Sequence, residues 1–257
     1  MPELNFSNKL RILHILNHLA LIPAFIYGSW WMWAAGYAFW YCVIGSIGIS
    51  VGFHRYLAHK SFTTYKWFEV LMIYSGCLAT GGTPMGWAGT HRLHHAYCDT
   101  EKDPHSPKIL GGVRAYFHLW NPFEIPKGMV RDLMKNPHVR FCQQHYFKIL
   151  FAWAGLLFLI DPLLMVFGYC LPAVFAFHAY SHVNAISHMF GYRTYDLRPA
   201  DSSTNNWWVN MLAPGEGWHN NHHKYPNRYR NGFKWWELDI GARTLETFGL
   251  MKTQRSD

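Results

Sequence analysis

The chain has 257 residues, of which 50% are hydrophobic and only 15% are charged, a low charged fraction for a soluble protein. The formal net charge of +8 suits a surface that lies on anionic lipid or docks an acidic partner. Nucleic acid is a poor fit as a partner, because the basic residues flank apolar segments. A disulfide framework or zinc ribbon is also disfavoured, because the five cysteines form no CxxC pair.

Two long uncharged stretches define the predicted membrane segments. Residues 12–54 carry no charged side chain, and only Asp161 is charged between Lys148 and Arg193. Each stretch is about twice the ~20 residues that a membrane helix needs, so each is predicted to form a helical hairpin. The chain is therefore predicted to be an all-α integral membrane protein, a single domain over 1–257, with four transmembrane helices at about 12–32, 34–54, 148–166 and 167–187.

The distribution of charge predicts the orientation of these helices. All 23 Lys and Arg fall outside the two hairpins and so on one side, which the positive-inside rule makes cytoplasmic. Both termini and the cytosolic segments 91–147 and 193–257 are expected on that side. The apolar N-terminal stretch is too long for a cleavable signal and lacks a small-residue cleavage site.

Residues 70–91 form a further uncharged stretch rich in Gly and Pro, within the segment 66–90. Only 31 residues (60–90) separate the histidines on either side of it, too few for two crossings of ~20 residues each. We therefore expect an interfacial or re-entrant segment with a broken helix, which is tolerated at depth only when protein covers it.

Three histidine clusters follow the apolar segments: His54 and His59; His91, His94 and His95; and His219, His222 and His223. On an α-helix, each HxxHH cluster fits within an arc of about 100°, which lets the i and i+4 histidines serve one metal and the i+3 histidine another. His54 and His59 would lie about 140° apart, so they converge only if the helix ends between them.

The competing interpretations are weaker. Lone histidines on apolar helices, such as His14, His18 and His178, are usually packed or hydrogen-bonded side chains. Zinc prefers about four ligands, often including carboxylate or thiolate, so eight or nine histidines are too many for one zinc ion. A pair of irons with histidine ligands fits the pattern better.

These residues closely resemble the membrane fatty-acid desaturases, in particular the Δ9 branch that includes stearoyl-CoA desaturase and the cyanobacterial acyl-lipid enzymes. The resemblance runs from about Gly45 to Asp239. It rests on the three clusters and on four further motifs: Asp103-Pro104-His105, Val183-Asn184-Ala185-Ile186-Ser187-His188, Gly191-Tyr192-Arg193 and Gly215-Glu216-Gly217-Trp218.

The resemblance implies a di-iron site. One iron would be held by His54, His59, His91, His95 and His222. The other would be held by His94, His188, His219 and His223, with Asn184 completing the shell through a water. Ligating histidines usually donate their other N–H to a carboxylate or carbonyl, and the acidic residues close to ligands in sequence are Asp99, Glu101, Asp103 and Glu216.

Breaking an unactivated C–H bond needs an oxidant that no side chain supplies, so the metal would carry that chemistry. The resemblance implies a desaturase that uses dioxygen, two irons and two external electrons to introduce a cis double bond at Δ9. The chain shows no Rossmann fingerprint, fused cytochrome or iron–sulfur cysteine set, which predicts a separate donor, a ferredoxin or a b-type cytochrome. The basic face suits an acidic carrier of this kind.

By resemblance, Cys42 and Ser46 lie at the closed end of the acyl tunnel, although small residues on a span also serve close helix packing. Animal acyl-CoA members carry Arg-Asp just before the second cluster, where this chain has Gly89-Thr90, which favours a lipid-bound acyl substrate over a CoA thioester.

Two alternatives remain. The first is a hydroxylase or other lipid oxygenase, distinguished by its product. The second is a metal transporter or haem protein, for which ligands at mid-bilayer depth or a Soret band would be expected.

Overall fold

The computed structural model describes residues 6–121 and 123–255. The N-terminal half contains α1 (Phe6–Leu19), α2 (Ile22–Tyr27), α3 (Trp30–Ala38), a π-helical segment (Phe39–Ala58), β1 (Phe62–Thr64), α4 (Lys66–Leu78), α5 (Pro84–Tyr97), α6 (Pro107–Leu110) and α7 (Gly112–Tyr116). The remainder contains α8 (Pro137–Ile160), α9 (Pro162–Met165), a π-helical turn (Val166–Cys170), α10 (Leu171–Asn184), α11 (Trp207–Leu212), α12 (His219–Lys224), α13 (Ile240–Thr247) and β2 (Met251–Gln254). Short 3-10 turns lie at Lys127–Met129, Leu133–Lys135 and Ile186–His188.

Three helical stretches of the described chain are long and apolar enough to cross a membrane: Ser7–Tyr27, Trp30–Ala58 and Pro162–His188. The predicted span over 148–166 falls on two helices, because α8 ends at Ile160 and the extended backbone of Asp161 separates it from α9. The first half of α8 is also polar, which lowers the hydropathy of the whole helix. The helices of the two predicted hairpins are joined at Gly28-Ser29 and at Asp161. The Asp161 carboxylate accepts the Leu163 N–H at 2.6 Å.

The prediction of an all-α chain needs one small correction. β1 and β2 pair as an antiparallel two-stranded sheet in which Thr63 lies opposite Thr253. This sheet fastens the C-terminal end of the chain to the segment just after His59.

Residues 39–58 are wound more loosely than an α-helix. The hydrogen bonds of a π-helix join residues five apart, and this pattern continues to His59, whose N–H donates to the His54 carbonyl at 3.1 Å. His54 and His59 are therefore one turn apart and share a face. The helix ends at Ala58, between the two histidines, and the π-type hydrogen bond of His59 closes its last turn.

The Gly- and Pro-rich segment forms two helices. Its break lies at Ala79–Thr83, where Thr80 and Gly82 adopt φ angles of 56° and 106°. The Thr83 hydroxyl then caps the start of α5 by accepting the Gly86 N–H at 3.2 Å. Ala79 and Thr80 are both fully buried, so the irregular backbone is covered by protein.

The C-terminal region is anchored to the π-helical segment by a buried ion pair. Arg55 and Asp239 are 1% and 0% exposed, and the Arg55 guanidinium donates to the Asp239 carboxylate at 2.9 Å and to the Tyr229 carbonyl at 2.8 Å. The Glu216 carboxylate lies 3.4 Å from the same guanidinium. These contacts place α12, which carries the third histidine cluster, beside the first cluster.

Candidate metal centre

The structure brings nine histidines together in two groups. Within each group, the candidate ligand nitrogens all lie within 4.8 Å of one another. The first group contains His54, His59, His91, His95 and His222, and the second contains His94, His188, His219 and His223. These are the same two sets that the resemblance implies, and each draws on α12 and on α5.

In the first group, the Nε2 atoms face one another. His59 Nε2 lies 2.7 Å from His91 Nε2, and His222 Nε2 lies 2.9 Å from both His54 Nε2 and His95 Nε2. Two nitrogens bound at right angles to one metal at ~2.0–2.1 Å would be separated by about 3 Å. These separations therefore fit adjacent ligands of a single ion.

The second group has the same arrangement. His219 Nε2 lies 2.9 Å from His188 Nε2 and 3.1 Å from His223 Nε2, and His94 Nε2 lies 3.4 Å from His223 Nε2. Four inward-facing imidazole nitrogens again fit one ion of a transition metal.

The imidazoles of the first group are suited to ligation. Burial, together with the neighbouring histidines, lowers the pKa values of His91, His95 and His222 well below the usual range. They are therefore neutral at physiological pH, the form in which a ring nitrogen offers a lone pair to a metal. A buried set of facing lone pairs is poorly satisfied without a cation, which supports a metal site.

Two buried aspartates hold ligands of the second group. Asp103 Oδ2 lies 2.8 Å from His94 Nδ1, and Asp99 Oδ2 lies 3.0 Å from His188 Nδ1. Burial by itself raises the pKa of each carboxyl, but the hydrogen bonds and charges of these histidines outweigh it and lower both pKa values well below their usual range. Each carboxylate stays ionised and holds the Nδ1 proton, which leaves Nε2 free to bind a metal.

Two further carboxylates lie against ligands. Glu216 Oε2 is 2.6 Å from His54 Nδ1, and Asp201 Oδ2 is 2.9 Å from His223 Nδ1. Asp201 was missed by the sequence reasoning because it is not close in sequence to any ligand. Glu101, the remaining predicted candidate, is exposed, and no hydrogen bond or ion pair joins it to a histidine of either group in the described part of the chain.

Asp201→Asn is expected to weaken metal binding or activity by about 10–100-fold, the usual effect of losing a carboxylate that orients a ligating histidine. Metal content by mass spectrometry after dialysis against a graded series of chelator would measure the loss. Glu101→Gln is the matched control, because it removes the same charge at an exposed position. Equal metal retention in both variants would show that Asp201 does not support the centre.

An apolar cavity reaches the histidines. Its lining includes His91, His94, His219 and Asn184, so Asn184 sits beside ligands from both groups. The rest of the wall is formed by Trp40, Gly45, Ile49, Trp87, Ala179, Tyr180, Val183, Ala213, Pro214 and Glu216. Such a cavity suits an apolar substrate group that lies next to the metals.

The structure does not place Cys42 and Ser46 on the wall of this cavity. Cys42 is exposed and Ser46 is 1% exposed, while Trp40, Gly45 and Ile49 of the same helix line the cavity.

The lone histidines of the apolar helices stay outside both groups. His18 donates through Nδ1 to the His14 carbonyl at 2.7 Å, and its Nε2 lies 3.3 Å from His178 Nε2. These contacts join α1 to α10, as expected for hydrogen-bonded side chains between membrane helices.

Nine histidines in two groups that could each hold a metal ion lie beside an apolar cavity, in a chain with three helices long and apolar enough to cross a membrane. These features indicate a metalloenzyme of the membrane with an apolar substrate. The family model described as "Fatty acid desaturase" matches residues 28–251. The chain is 36% identical to the sn-1 stearoyl-lipid 9-desaturase of Anabaena variabilis, over 97% of this chain and 92% of that protein. It is 35% identical to the sn-2 palmitoyl-lipid 9-desaturase of Nostoc sp. (strain 36), over 98% and 92%, and 36% identical to the acyl-CoA 5-desaturase AL21 of Anemone leveillei, over 83% and 70%.

The chain belongs to the fatty acid desaturase family. It is an oxidoreductase of lipid metabolism that introduces a double bond into a fatty-acyl chain, and its histidine groups and apolar helices fit the metal site and membrane location of such an enzyme.

Proposed function

We propose that the protein is a Δ9 desaturase of membrane-lipid acyl chains, with two irons, dioxygen as co-substrate and a separate electron donor, a ferredoxin or a b-type cytochrome. The observation that carries this proposal is the apolar cavity whose lining includes ligands of both histidine groups. The relatives from Anabaena variabilis and Nostoc sp. (strain 36) are both named as lipid 9-desaturases, which supports the Δ9 position and the lipid substrate.

Two irons held by the two groups would supply the oxidising power that an unactivated methylene requires. Asn184 would complete the ligand shell of the second iron through a water. The residues of the chain do the rest. The apolar wall excludes water and holds the acyl chain in one register, so that a single pair of carbons meets the centre. Asp99, Asp103, Asp201 and Glu216 keep the histidine rings oriented.

The surroundings of Gly89 support a lipid-bound substrate. A Cβ atom at this position would lie 2.6 Å from Ile125 Cγ2 and 2.9 Å from Val130 Cγ1. An arginine could not be accommodated there without displacing both side chains. The Arg-Asp grip expected of animal acyl-CoA members therefore has no structural counterpart at Gly89-Thr90.

The proposal is tested by gas chromatography–mass spectrometry of total fatty acids from a host that expresses the chain, compared with one that expresses His94→Ala. A new cis-9 monoene found only with the intact centre is expected. A hydroxylated acid in its place would identify a hydroxylase. Incubation of membranes with acyl-labelled phospholipid or acyl-CoA then identifies the carrier, and desaturation of the CoA thioester alone would contradict the lipid assignment.

We further propose four spans, with α8 as the additional one, and with both termini and the metal centre on the cytoplasmic side. In a Cys42→Ala background, Pro162→Cys is then expected to react with an impermeant maleimide in intact cells. Glu101→Cys should react only after permeabilisation. Labelling of both positions from the same side would rule out this topology.

Trp40 is expected to limit acyl-chain length. It is the cavity-lining residue of the π-helical segment that lies farthest along the chain from His54, and its indole N–H is tied to the Leu212 carbonyl at 2.9 Å. Trp40→Leu should shift products towards longer chains, whereas Cys42→Ala, at an exposed position two residues away, should not. The measurement is the chain-length distribution of monoenes, and an unchanged distribution in Trp40→Leu would refute this role.

A further inference from the structure

The helix that carries the third histidine cluster is too short to orient itself. α12 spans six residues, three of which are His219, His222 and His223. Such a helix has fewer than two turns, and helices of this length are not stable on their own. Trp218, which precedes the helix, forms no side-chain cap. Contacts with other segments must therefore set the directions of the three imidazoles.

Asn220, inside this helix, uses every hydrogen-bonding position of its side chain and is 0% exposed. Its side-chain oxygen accepts the backbone N–H groups of Thr194 and Tyr195, both at 2.8 Å. Its side-chain NH₂ donates to the Tyr195 carbonyl at 3.0 Å and to the Ser203 carbonyl at 3.2 Å. A carboxamide has two N–H donors and an oxygen with two lone pairs, so all four positions are filled.

The four hydrogen bonds of Asn220 all reach one loop, residues 194–203, which we call the strap. The strap also carries Asp201, whose Oδ2 lies 2.9 Å from His223 Nδ1. The strap thus holds α12 at two points, through Asn220 and through the ring of His223. A shift of α12 relative to the strap would separate His223 from Asp201 and turn its imidazole.

The strap reaches a further ligand of the second group. The Ser202 N–H donates to Asp99 Oδ2 at 2.9 Å, and the Ser202 hydroxyl donates to the His188 carbonyl at 2.8 Å. Asp99 in turn lies 3.0 Å from His188 Nδ1. His188 and the third cluster are distant in sequence, and the strap connects them.

The neighbouring Asn221 is bound to other segments. Its NH₂ group donates to the Asn231 carbonyl at 3.0 Å and to the Glu237 carboxylate at 2.9 Å. Its side-chain oxygen accepts from Asn205 at 2.8 Å. Apart from the histidines, Asn220 is therefore the residue of α12 whose side chain joins the helix to the strap.

We propose that Asn220 is a positioning residue of the metal centre. It fixes α12 on the strap, so that His219 and His223 face the other ligands of the second group. Metal–nitrogen bonds are kept within about 0.2 Å of their usual length, so a small rotation of α12 is enough to break one. This proposal rests on the proposed function, because it takes the two histidine groups as the metal sites of the desaturase.

The test measures cobalt binding by the full chain, purified in detergent and freed of metal by a chelator. Co²⁺ accepts imidazole ligands, and its visible absorption reflects their number and arrangement. The unmodified chain is expected to bind one ion in each of its two groups. Asn220→Ala should weaken one of these ions by about 10–100-fold, the usual effect of losing a residue that orients a ligand. The absorption of that ion should change as well.

Asn136→Ala is the matched control. The Asn136 side-chain oxygen also accepts two backbone N–H groups, those of His138 and Val139 at 2.9 and 3.3 Å, at the start of α8 and outside both histidine groups. Its loss should lower the unfolding temperature and leave both cobalt affinities unchanged. A side chain that only stabilises the fold behaves in this way. Equal cobalt binding by Asn220→Ala and Asn136→Ala therefore overturns the positioning role.

The ion that is affected identifies the group. In a His188→Ala background only the first group is complete, and adding Asn220→Ala should leave its cobalt affinity unchanged. A fall there would overturn the assignment of Asn220 to the second group. If Asn220→Ala does not fold, Asn220→Asp takes its place with the same expected loss, because it keeps the shape and the acceptor oxygen but lacks both donors.

The titration needs neither substrate nor dioxygen, which separates this proposal from the proposed function. A chain that binds both cobalt ions in the expected way but forms no alkene would contradict the proposed function and leave the role of Asn220 standing. An unmodified chain that binds fewer than two cobalt ions would overturn the two-metal centre, and the role of Asn220 with it.

Discussion

His222→Ala is expected to abolish desaturation and to remove about half of the metal bound by the purified protein. His222 Nε2 lies 2.9 Å from both His54 Nε2 and His95 Nε2, so it connects the first and second clusters within one group. Loss of a direct ligand should exceed the ~10–100-fold effect of losing a carboxylate that orients one. Iron per chain by mass spectrometry, and monoene yield from the same cells, measure the two effects.

The matched control is His138→Ala, because this partly exposed histidine of α8 packs against Tyr74 and belongs to neither group. His188→Ala should cause a comparable loss from the second group. Its Nε2 faces His219 at 2.9 Å, although it lies far from the three clusters in sequence. Full metal content with normal turnover in either ligand variant would remove that histidine from the proposed centre.

Arg55→Met is expected to destabilise the protein by ~3–5 kcal/mol, because it leaves the buried carboxylate of Asp239 without its cation. Arg55 is 1% exposed and Asp239 0% exposed, at 2.9 Å. Because the same guanidinium lies near Glu216, which contacts His54, metal retention should fall as well. Thermal unfolding in detergent, followed by tryptophan fluorescence, measures the loss.

Arg230→Met is the control for Arg55→Met, because it removes an arginine from an ion pair with Glu246 whose side chains are 37% and 34% exposed. Exposed pairs contribute only ~0–1 kcal/mol, so little change is expected. Adding Asp239→Asn to Arg55→Met should recover part of the stability, since it removes the unpaired charge. Equal destabilisation by Arg55→Met and Arg230→Met would contradict the anchoring role of Arg55.

Local patterns were sufficient to predict much of the site. The HxxHH spacing assigns His91 and His95 to one metal and His94 to another, because 3.6 residues per turn separate them by angle alone. Asp99 and Asp103 were recognised as candidates because they follow a ligand helix closely. The helical period itself could not be predicted: residues 39–58 are wound as a π-helix, in which the His59 N–H bonds to the His54 carbonyl five residues earlier.

The sequence by itself determined the class of the protein: an apolar helical chain, three histidine clusters and the desaturase resemblance with its two ligand sets. Only the tertiary structure decided how distant segments meet. It placed Asp201 against His223 and Trp40 on the cavity wall. It also brought Arg198 and Arg255 to the backbone carbonyls of His95 and His59. The physical reason is that local spacing specifies angles around one helix, whereas contacts between segments depend on how helices, turns and the C-terminal strand pack together.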